Sequence, residues 1–365
     1  MKRREILTSG AGLVAAAAAV AVAKPAIAQS TPELKWRLTS SFPASLDVIY
    51  GTARIFAKAV AEGSDNRFQI QVLPPGETAQ ALQAADAVTE GSVEMCHTAS
   101  YYYVAKDPTF ALATAVPFGL NGRMQNAWMY FGGGIDLMNE FYAKYNIFAL
   151  PAGNTGCQMG GWFRKEIRTT DELNGLKMRV GGFAGRVLQK LGVAPRQVAG
   201  GDIYSSLEKG TLDAATWVGP YDDAILGLHK VAPYYYYPGW WSGGAMFHNF
   251  INLEKWRALP PAYQSLLRTA SDKANGWMQA KYDAENPPAL KRLVGSGVQL
   301  KPFPQGVLDA CLTASLELYG ELSAENPAFK KAWEAMLAFR NDQYLWWQLA
   351  EYAYDTFLIQ TRTRT

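Results

Sequence analysis

Strand and helix patterns alternate in the first third of the chain, and this alternation constrains the fold more than any other feature. Leu34 to Thr39 alternates apolar and polar residues as a strand does, and Asp47 to Glu62 carries apolar residues at helical spacing. Phe68 to Leu73 is a second alternating strand, and Thr78 to Glu90 is a second helical stretch that a glycine ends. This order predicts an α/β architecture with a mainly parallel sheet.

Composition limits the classes of protein. The chain has 365 residues, of which 49% are hydrophobic and 18% are charged. It is too long for one small domain, so two lobes are predicted. No block of like charge occurs, which argues against intrinsic disorder and against a nucleic-acid-binding surface. Cys96, Cys157 and Cys311 have no CxxC spacing, so neither a disulfide framework nor a zinc site is predicted.

The N-terminus has the pattern of an export signal. Lys2, Arg3 and Arg4 precede an alanine- and valine-rich run from Gly12 to Val22, which is shorter than the roughly 20 residues of a membrane span. Cleavage is predicted after Ala28, by either the twin-arginine or the general secretory route. The segment carries the whole formal charge of +3, so the predicted mature protein is neutral and lies in the periplasm.

One local pattern occurs twice. Val88–Met95 and Leu207–Ala214 each join a helix end, a glycine, a hydroxyl residue and the apolar and acidic start of a strand. Tyr101 follows the first copy, and Thr216 and Trp217 follow the second. Ligands of parallel α/β sheets bind beyond the carboxyl ends of strands, so two such strands, one per lobe, can face a common cleft. Ordinary helix-to-strand junctions without a role in binding would give the same pattern.

Two crossings between the lobes, near Pro151 and near Pro238, predict a discontinuous first lobe. The predicted segments are the export signal, the first lobe, the second lobe, the return of the first lobe and a long C-terminal helix, at residues 1–28, 29–151, 152–237, 238–325 and 326–365. The C-terminal helix begins at Pro327 and extends to about Leu358, with apolar residues on nearly all sides. It packs either across its own lobes or on a second subunit.

No catalytic motif is found. His97, His229 and His248 form no zinc-binding pattern, and the chain has no G-x-S-x-G elbow, Walker loop or G-x-G-x-x-G after a strand. Asp222 and Asp223 are interpreted as an acidic pair at a helix N-terminus in preference to a metal site.

The remaining candidates fit recognition of a small acid. Arg179 lies in Lys-Met-Arg-Val on a short predicted strand, where it suits bidentate pairing with a ligand carboxylate or a salt bridge within the protein. Gln158, Asn154 and Tyr101 can supply neutral hydrogen bonds. Trp217 can form one wall of a small pocket.

Three stretches resemble a known family. Leu173–Val180 resembles the arginine-bearing motif of the substrate-binding subunits of tripartite ATP-independent periplasmic (TRAP) transporters. Ala215–Asp223 and Tyr234–Trp241 resemble the branch of that family that binds 2-oxo and 2-hydroxy monocarboxylates. The resemblance extends from about Leu34 to about Leu358.

The resemblance implies a two-lobed periplasmic-binding-protein fold with hinge strands, closing on a small 2-oxo acid such as pyruvate and delivering it to TRAP membrane subunits. Arg179 then corresponds to the carboxylate-binding arginine. Gln158 and Trp217 correspond to residues around a cation that bridges protein and substrate. The family also implies a C-terminal helix that is exchanged between the subunits of a homodimer.

The sequence departs from some relatives, which carry an acidic residue where Thr216 and Ser242 stand here. Hydroxyl and carbonyl oxygens suit a weakly charged cation better than Ca²⁺, which favours several carboxylate oxygens. The expected cofactor is therefore Na⁺, held by Gln158, Thr216, Trp217 and Ser242, with Ca²⁺ as the alternative.

Other functions remain compatible with the sequence. A periplasmic enzyme exported in its folded state, a sensory module that presents ligand to a receptor, and a binding protein for a 2-hydroxy acid such as lactate are the alternatives. The lack of a nucleophile–base pair or cofactor motif argues against the enzyme.

Overall fold

The computed structural model describes residues 32–362 and confirms the α/β class. The predicted export signal and its cleavage site lie outside the described residues. No helix formed by residues 32–362 combines the length and apolarity that a membrane crossing needs.

The chain forms strands and α-helices in alternation. The strands are β1 (Leu34–Ser40), β2 (Phe68–Leu73), β3 (Met95–Thr98), β4 (Ile147–Asn154), β5 (Gly161–Phe163), β6 (Lys177–Arg179), β7 (Ala194–Arg196), β8 (Ala214–Ala215), β9 (Tyr234–Tyr237), β10 (Met246–Asn252) and β11 (Gln299–Pro302). The helices are α1 (Ile49–Gly63), α2 (Ala84–Thr89), α3 (Phe110–Thr114), α4 (Gly122–Phe131), α5 (Gly134–Tyr142), α6 (Phe183–Lys190), α7 (Ile203–Glu208), α8 (Pro220–Ile225), α9 (Leu253–Ala258), α10 (Pro261–Gly295), α11 (Gln305–Glu325), α12 (Pro327–Leu349) and α13 (Glu351–Thr361).

Two sheets divide the fold into two lobes. The first sheet has the order β2-β1-β3-β10-β4, in which β1 pairs in parallel with β2 and β3 while β10 runs antiparallel to β3 and β4. The second sheet has the order β11-β9-β5-β8-β6-β7. Residues around the first sheet are called the first lobe below, and residues around the second sheet the second lobe.

The return segment predicted at residues 238–325 divides between the lobes. Strand β10 joins the first sheet, and α10 packs on α1 and β4 there. Strand β11 instead pairs in parallel with β9 at the edge of the second sheet, and α11 packs against α6. Helix α10 also contacts α8, so it spans both lobes.

The repeated sequence pattern corresponds to two equivalent junctions. Gly91 and Gly210 adopt φ values of +76° and +70°, a left-handed backbone that glycine enters at low cost. The strands that follow, β3 and β8, lie within the first and second sheets respectively. Their carboxyl ends lead to Tyr101 and to Thr216, the residues singled out from the sequence.

The C-terminal helix is interrupted, whereas the sequence predicted one helix to about Leu358. Ala350, with φ −96° and ψ −89°, separates α12 from α13. Arg123 of α4 lies over the ring of Trp347 just before the break and pairs with Glu351 just after it. The break therefore brings both residues to the same arginine of the first lobe.

Buried carboxylates support the segment between β8 and α8. Asp223 Oδ2 accepts hydrogen bonds from Trp162 Nε1 (2.9 Å) and from the Tyr235 hydroxyl (2.7 Å). Asp223 Oδ1 accepts one from the backbone N–H of Val218 (3.2 Å). Because these donors come from β5, β9 and the β8–α8 turn, one carboxylate fixes the turn that follows Thr216. The pair lies in the first turn of α8, as predicted.

Asp222 is less completely satisfied than its neighbour. Its Oδ2 accepts a hydrogen bond from the Tyr282 hydroxyl of α10 (2.8 Å), while its Oδ1 is buried without a partner. Burial, with the nearby charges of Asp223 and Asp47 adding to it, raises the pKa of Asp222 to about 7. Burial likewise raises the pKa of Asp223 to about 6. An ionised Asp222 is therefore held at a cost in free energy.

Replacing Asp222 by asparagine is expected to make the protein relatively more stable as pH rises. A carboxyl whose pKa is raised on folding, here from 3.8 to about 7, favours folding while protonated and loses that contribution as pH climbs through this interval. The melting temperature of Asp222→Asn should gain roughly 2 °C or more on the wild type between about pH 5 and about pH 8. Thermal melts across this range measure the difference.

Asp342→Asn, at an exposed position of α12, is the matched control. Its melting temperature should differ from that of the wild type by the same amount at every pH. A constant difference for Asp222→Asn as well would contradict the account of this buried acid.

Candidate ligand-binding cleft

Arg179 lies at the end of β6 with 1% of its surface exposed. Its Nε donates to the carbonyl of Val198 (3.0 Å), and its Nη1 donates to the carbonyl of Thr216 (2.6 Å). Its Nη2 is buried and has no hydrogen-bond partner. No carboxylate among residues 32–362 forms an ion pair with this guanidinium, which therefore keeps one nitrogen free to donate.

The indole ring of Trp217 lies beside the guanidinium. The Arg179 Cζ lies 5.1 Å from the centroid of the indole ring, within cation–π range. The ring also lies against Gly200, where an added Cβ would come within 2.4 Å of the indole. Only a glycine at position 200 allows the indole to lie here, so Gly200 helps to position the ring that lies beside the arginine.

A small cavity lies beside Val180 and Thr216, and neither Arg179 nor Trp217, both predicted to contact the ligand, lines it. Four predicted site residues, Tyr101, Gln158, Thr216 and Ser242, line it. The other lining residues are Ala115, Val180, Gly181, Phe183, Ala184 and Trp241. About 10 Å³ is open to the centre of a water molecule, which is about the space that one water needs. The lobes are therefore closed tightly around it.

The polar wall of the cavity is built from three segments joined through their backbones. The N–H of Gln158 donates to the carbonyl of Ser242 (3.1 Å), and the N–H of Gly239 donates to the carbonyl of Gln158 (3.1 Å). The N–H of Met159 donates to the carbonyl of Val218 (3.1 Å). The Ser242 hydroxyl is buried without a partner. This wall offers neutral oxygen atoms and no carboxylate.

Asn154 does not reach the cavity, in contrast to its place among the predicted contacts. Its Nδ2 donates to the carbonyl of Gly122 (3.0 Å) and to Asn126 Oδ1 (3.1 Å), and its Oδ1 accepts from the N–H of Gly156 (2.9 Å). The first two bonds hold the end of β4 to α4, and the third closes the turn that follows β4. Its amide is thus committed to the fold of the first lobe.

His97 is also structural. Its Nε2 is hydrogen-bonded to the carbonyl of Ala152 (3.0 Å), and the ring is fully buried. Burial lowers its pKa to about 4, so the imidazole is neutral at physiological pH. Within residues 32–362 no group of three His, Cys, Asp or Glu side chains is placed to hold a metal. A cation in this cleft would need the neutral oxygens described above.

Three residues beside the cavity, Tyr102, Gly181 and Gly182, were not identified from sequence. The carbonyl of Tyr102 accepts a hydrogen bond from Gln197 Nε2 across the lobes (2.9 Å). Burial raises the pKa of the Tyr102 phenol, while the charge of Arg179 and a polar side-chain contact with it oppose that rise, so the phenol lies against the guanidinium. Gly181 and Gly182 contact the ring of Tyr101. Their position directly after the arginine motif, between a strand and a helix, was the available signal.

A larger groove of about 640 Å³ lies elsewhere between the lobes. Pro43, Pro74 and Gln83 line it from the first lobe, and Gln197 and Gly201 line it from the second. It shares no lining residue with the small cavity.

Comparison with known proteins gives a family and close relatives. The model of the bacterial extracellular solute-binding proteins of family 7, DctP, matches residues 39–326. A monocarboxylate 2-oxoacid-binding periplasmic protein from Nostoc sp. is 44% identical, over 98% of this chain and 99% of the relative.

Solved structures agree with this. A TRAP transporter solute-binding protein from Bordetella bronchiseptica, a mixed-occupancy dimer with calcium and picolinate in one site, has a TM-score of 0.90 and 46% identity, covering 91% of this chain and 99% of that one. One from Pseudoalteromonas atlantica with sodium and pyruvate has a TM-score of 0.86 and 38% identity, covering 88% and 98%. Matched over most of its length, the chain belongs to the DctP family of TRAP transporter solute-binding proteins.

Proposed function

We propose that this protein captures small 2-oxo monocarboxylates such as pyruvate in the periplasm and delivers them to the membrane subunits of a TRAP transporter. The observation that carries the proposal is the buried guanidinium of Arg179, which has a free Nη2 and no acidic partner. A buried charge of this kind is stabilised when an anionic ligand supplies the missing partner.

The chemistry of the ligand follows from the cavity. The ligand would place its carboxylate on Arg179, whose planar guanidinium suits a carboxylate better than a lysine ammonium does. The other residues offer hydroxyl and amide groups from Tyr101, Gln158, Thr216 and Ser242. A second acidic group on the ligand would face no further buried cation there, which favours a monocarboxylate.

A bridging cation fits the same wall. Pyruvate and picolinate, the ligands of two related structures, both carry a second lone-pair donor on the atom next to the carboxylate carbon. Such a pair of donors can chelate one ion, and oxygens of Gln158, Thr216, Trp217 and Ser242 would complete its shell. These groups are uncharged, which favours Na⁺ over Ca²⁺.

The proposed site residues differ in how directly the geometry supports them. Gln158, Thr216 and Ser242 line one cavity, and Arg179 donates to the carbonyl of Thr216 beside it. Trp217 acts through its ring on the guanidinium and through its backbone on the cation. Members of the family are transporter components, so we propose binding and release of the ligand without chemical change.

A panel of ligands should separate this function from the alternatives. Pyruvate at 100 times its dissociation constant should add about 2.7 kcal/mol to the stability of the protein and raise its melting temperature.

Arg179→Ala should weaken binding by roughly 30-fold or more, because loss of one partner of a buried charge pair costs about 2–5 kcal/mol. Arg186→Ala, at an exposed position of α6, is the matched control and should bind as the wild type does. Calorimetric titration measures the affinity of the wild type and of both variants, and thermal melts measure the stabilisation by pyruvate.

The same titrations distinguish the alternative ligands and the alternative ions. Binding of lactate in preference to pyruvate would reassign the ligand to the 2-hydroxy acids, and stabilisation by a sugar alone would refute the proposal. Titrations in sodium chloride, calcium chloride and tetramethylammonium chloride identify the ion. Equal affinity in the last salt would exclude a required metal cation.

We also propose that the protein is a homodimer joined through α12 and α13. Trp346, Leu349, Tyr354 and Phe357 are each more than 60% exposed, and α13 buries none of its residues. A run of exposed apolar side chains over two helices is a surface that another protein covers. The related dimer from Bordetella bronchiseptica supports a second copy of the chain as the partner.

Truncation after Asp342 should leave a folded monomer. The cut removes the exposed segment but keeps Phe329, Trp333 and Met336, the residues through which α12 joins the core. Light scattering should give the mass of one chain for the truncated protein and of two for the full mature chain. Leu349→Glu should also dissociate the dimer. Leu316→Glu, at an exposed position of α11, should not. A monomeric full chain would refute this interface.

A further inference from the structure

A glycine pair in the second lobe receives the ring of Tyr101 from the first lobe. A Cβ added to Gly181 would lie 2.8 Å from Cε2 of that ring, and one added to Gly182 would lie 3.2 Å from the Tyr101 Cβ. Carbon atoms in proteins essentially never approach to 2.8 Å without contact strain. Glycine at position 181 is therefore what allows the ring to lie where it does.

The two glycines have different reasons to be glycine. Gly182 has φ +62° at the start of α6, a left-handed backbone that disfavours other residues. Gly181 is outside that region, so its backbone does not demand glycine. The close approach of Tyr101 is the constraint that the structure shows at position 181.

The contact lies beside the ligand site. Gly181 is two residues after Arg179 and lines the small cavity together with Tyr101. The adjacent Tyr102 accepts the interlobe hydrogen bond from Gln197 and neighbours the arginine. Two contacts between the lobes thus lie next to the proposed carboxylate site.

We infer that Tyr101 and Gly181 form an interlobe clasp, in which the ring of one lobe closes on the bare backbone of the other and holds the cleft shut over the ligand. The clasp rests on the proposed function and specifies how that site retains its ligand. Gly181 acts here as a positioning residue through Tyr101.

A side chain added at position 181 would destabilise the closed conformation only. A Cβ at position 181 meets the ring when the lobes are closed and is free of it when they are apart. The apparent dissociation constant of a ligand rises as the fraction of binding-competent protein falls. Gly181→Ala should therefore lower affinity while it leaves the melting temperature of the ligand-free protein nearly unchanged.

A double-mutant cycle tests the clasp. With pyruvate as the probe, Gly181→Ala should weaken calorimetric binding at least about tenfold, which corresponds to about 1.4 kcal/mol. Gly185→Ala is the matched control in α6, because its Cβ would meet only ordinary contacts of 3.4 Å or more, and it should bind normally. In a Tyr101→Ala background, Gly181→Ala should have little further effect, because the opposing ring is gone.

Small-angle scattering adds a conformational measure. At the same sub-saturating pyruvate concentration, Gly181→Ala should have a larger radius of gyration than the wild type, and the difference should vanish in the Tyr101→Ala background.

The possible results separate the two proposals. Wild-type affinity in Gly181→Ala would overturn the clasp alone. An unchanged penalty in the Tyr101→Ala background would also overturn it, since the added methyl group would then be meeting the ligand. Failure of the wild type to bind any 2-oxo acid would overturn the proposed function, and the clasp with it.

Discussion

The buried guanidinium of Arg179 is the interaction on which the rest of the site depends. A charge removed from water is costly unless other groups solvate it. Here the carbonyls of Val198 and Thr216 and the ring of Trp217 do so in part, and no carboxylate of the described residues completes the shell. The Nη2 left without a partner is the basis for the proposed carboxylate site.

Support for this arginine comes from well outside the cavity. Asp223 fixes the β8–α8 turn by bonds to Trp162, Tyr235 and Val218, and the rings of Trp162 and Tyr235 stack at 3.9 Å. The turn in question carries the carbonyl of Thr216 that binds Arg179. Asp223 thus shapes the site through this turn without entering the cavity.

The sequence predicted those parts of the structure that depend on local chemistry. Apolar spacing gave the α/β class, and the glycines at 91 and 210 adopt the left-handed backbone that their positions required. Arg179 was identifiable because an arginine between apolar neighbours on a strand needs an unusual partner. Thr216 and Ser242, which the family resemblance brought in as candidate ion ligands, also line the cavity.

Other features depend on long-range contacts that local patterns do not contain. Asn154 has the chemistry of a ligand contact, yet distant groups on α4 use its amide. Strand β11 pairs with β9 through a register set by the tertiary fold, and the break at Ala350 coincides with contacts to Arg123. The need for glycine at position 181 comes from its contact with Tyr101, which is far away in sequence.

A crystal structure of the mature protein with pyruvate, grown in sodium chloride, tests the central claim most directly. The pyruvate carboxylate is expected on Nη2 of Arg179, with the rest of the ligand in the small cavity that Gln158 and Ser242 line. Pyruvate bound instead in the larger groove beside Pro43, with the Nη2 of Arg179 hydrogen-bonded to a protein group, would contradict it.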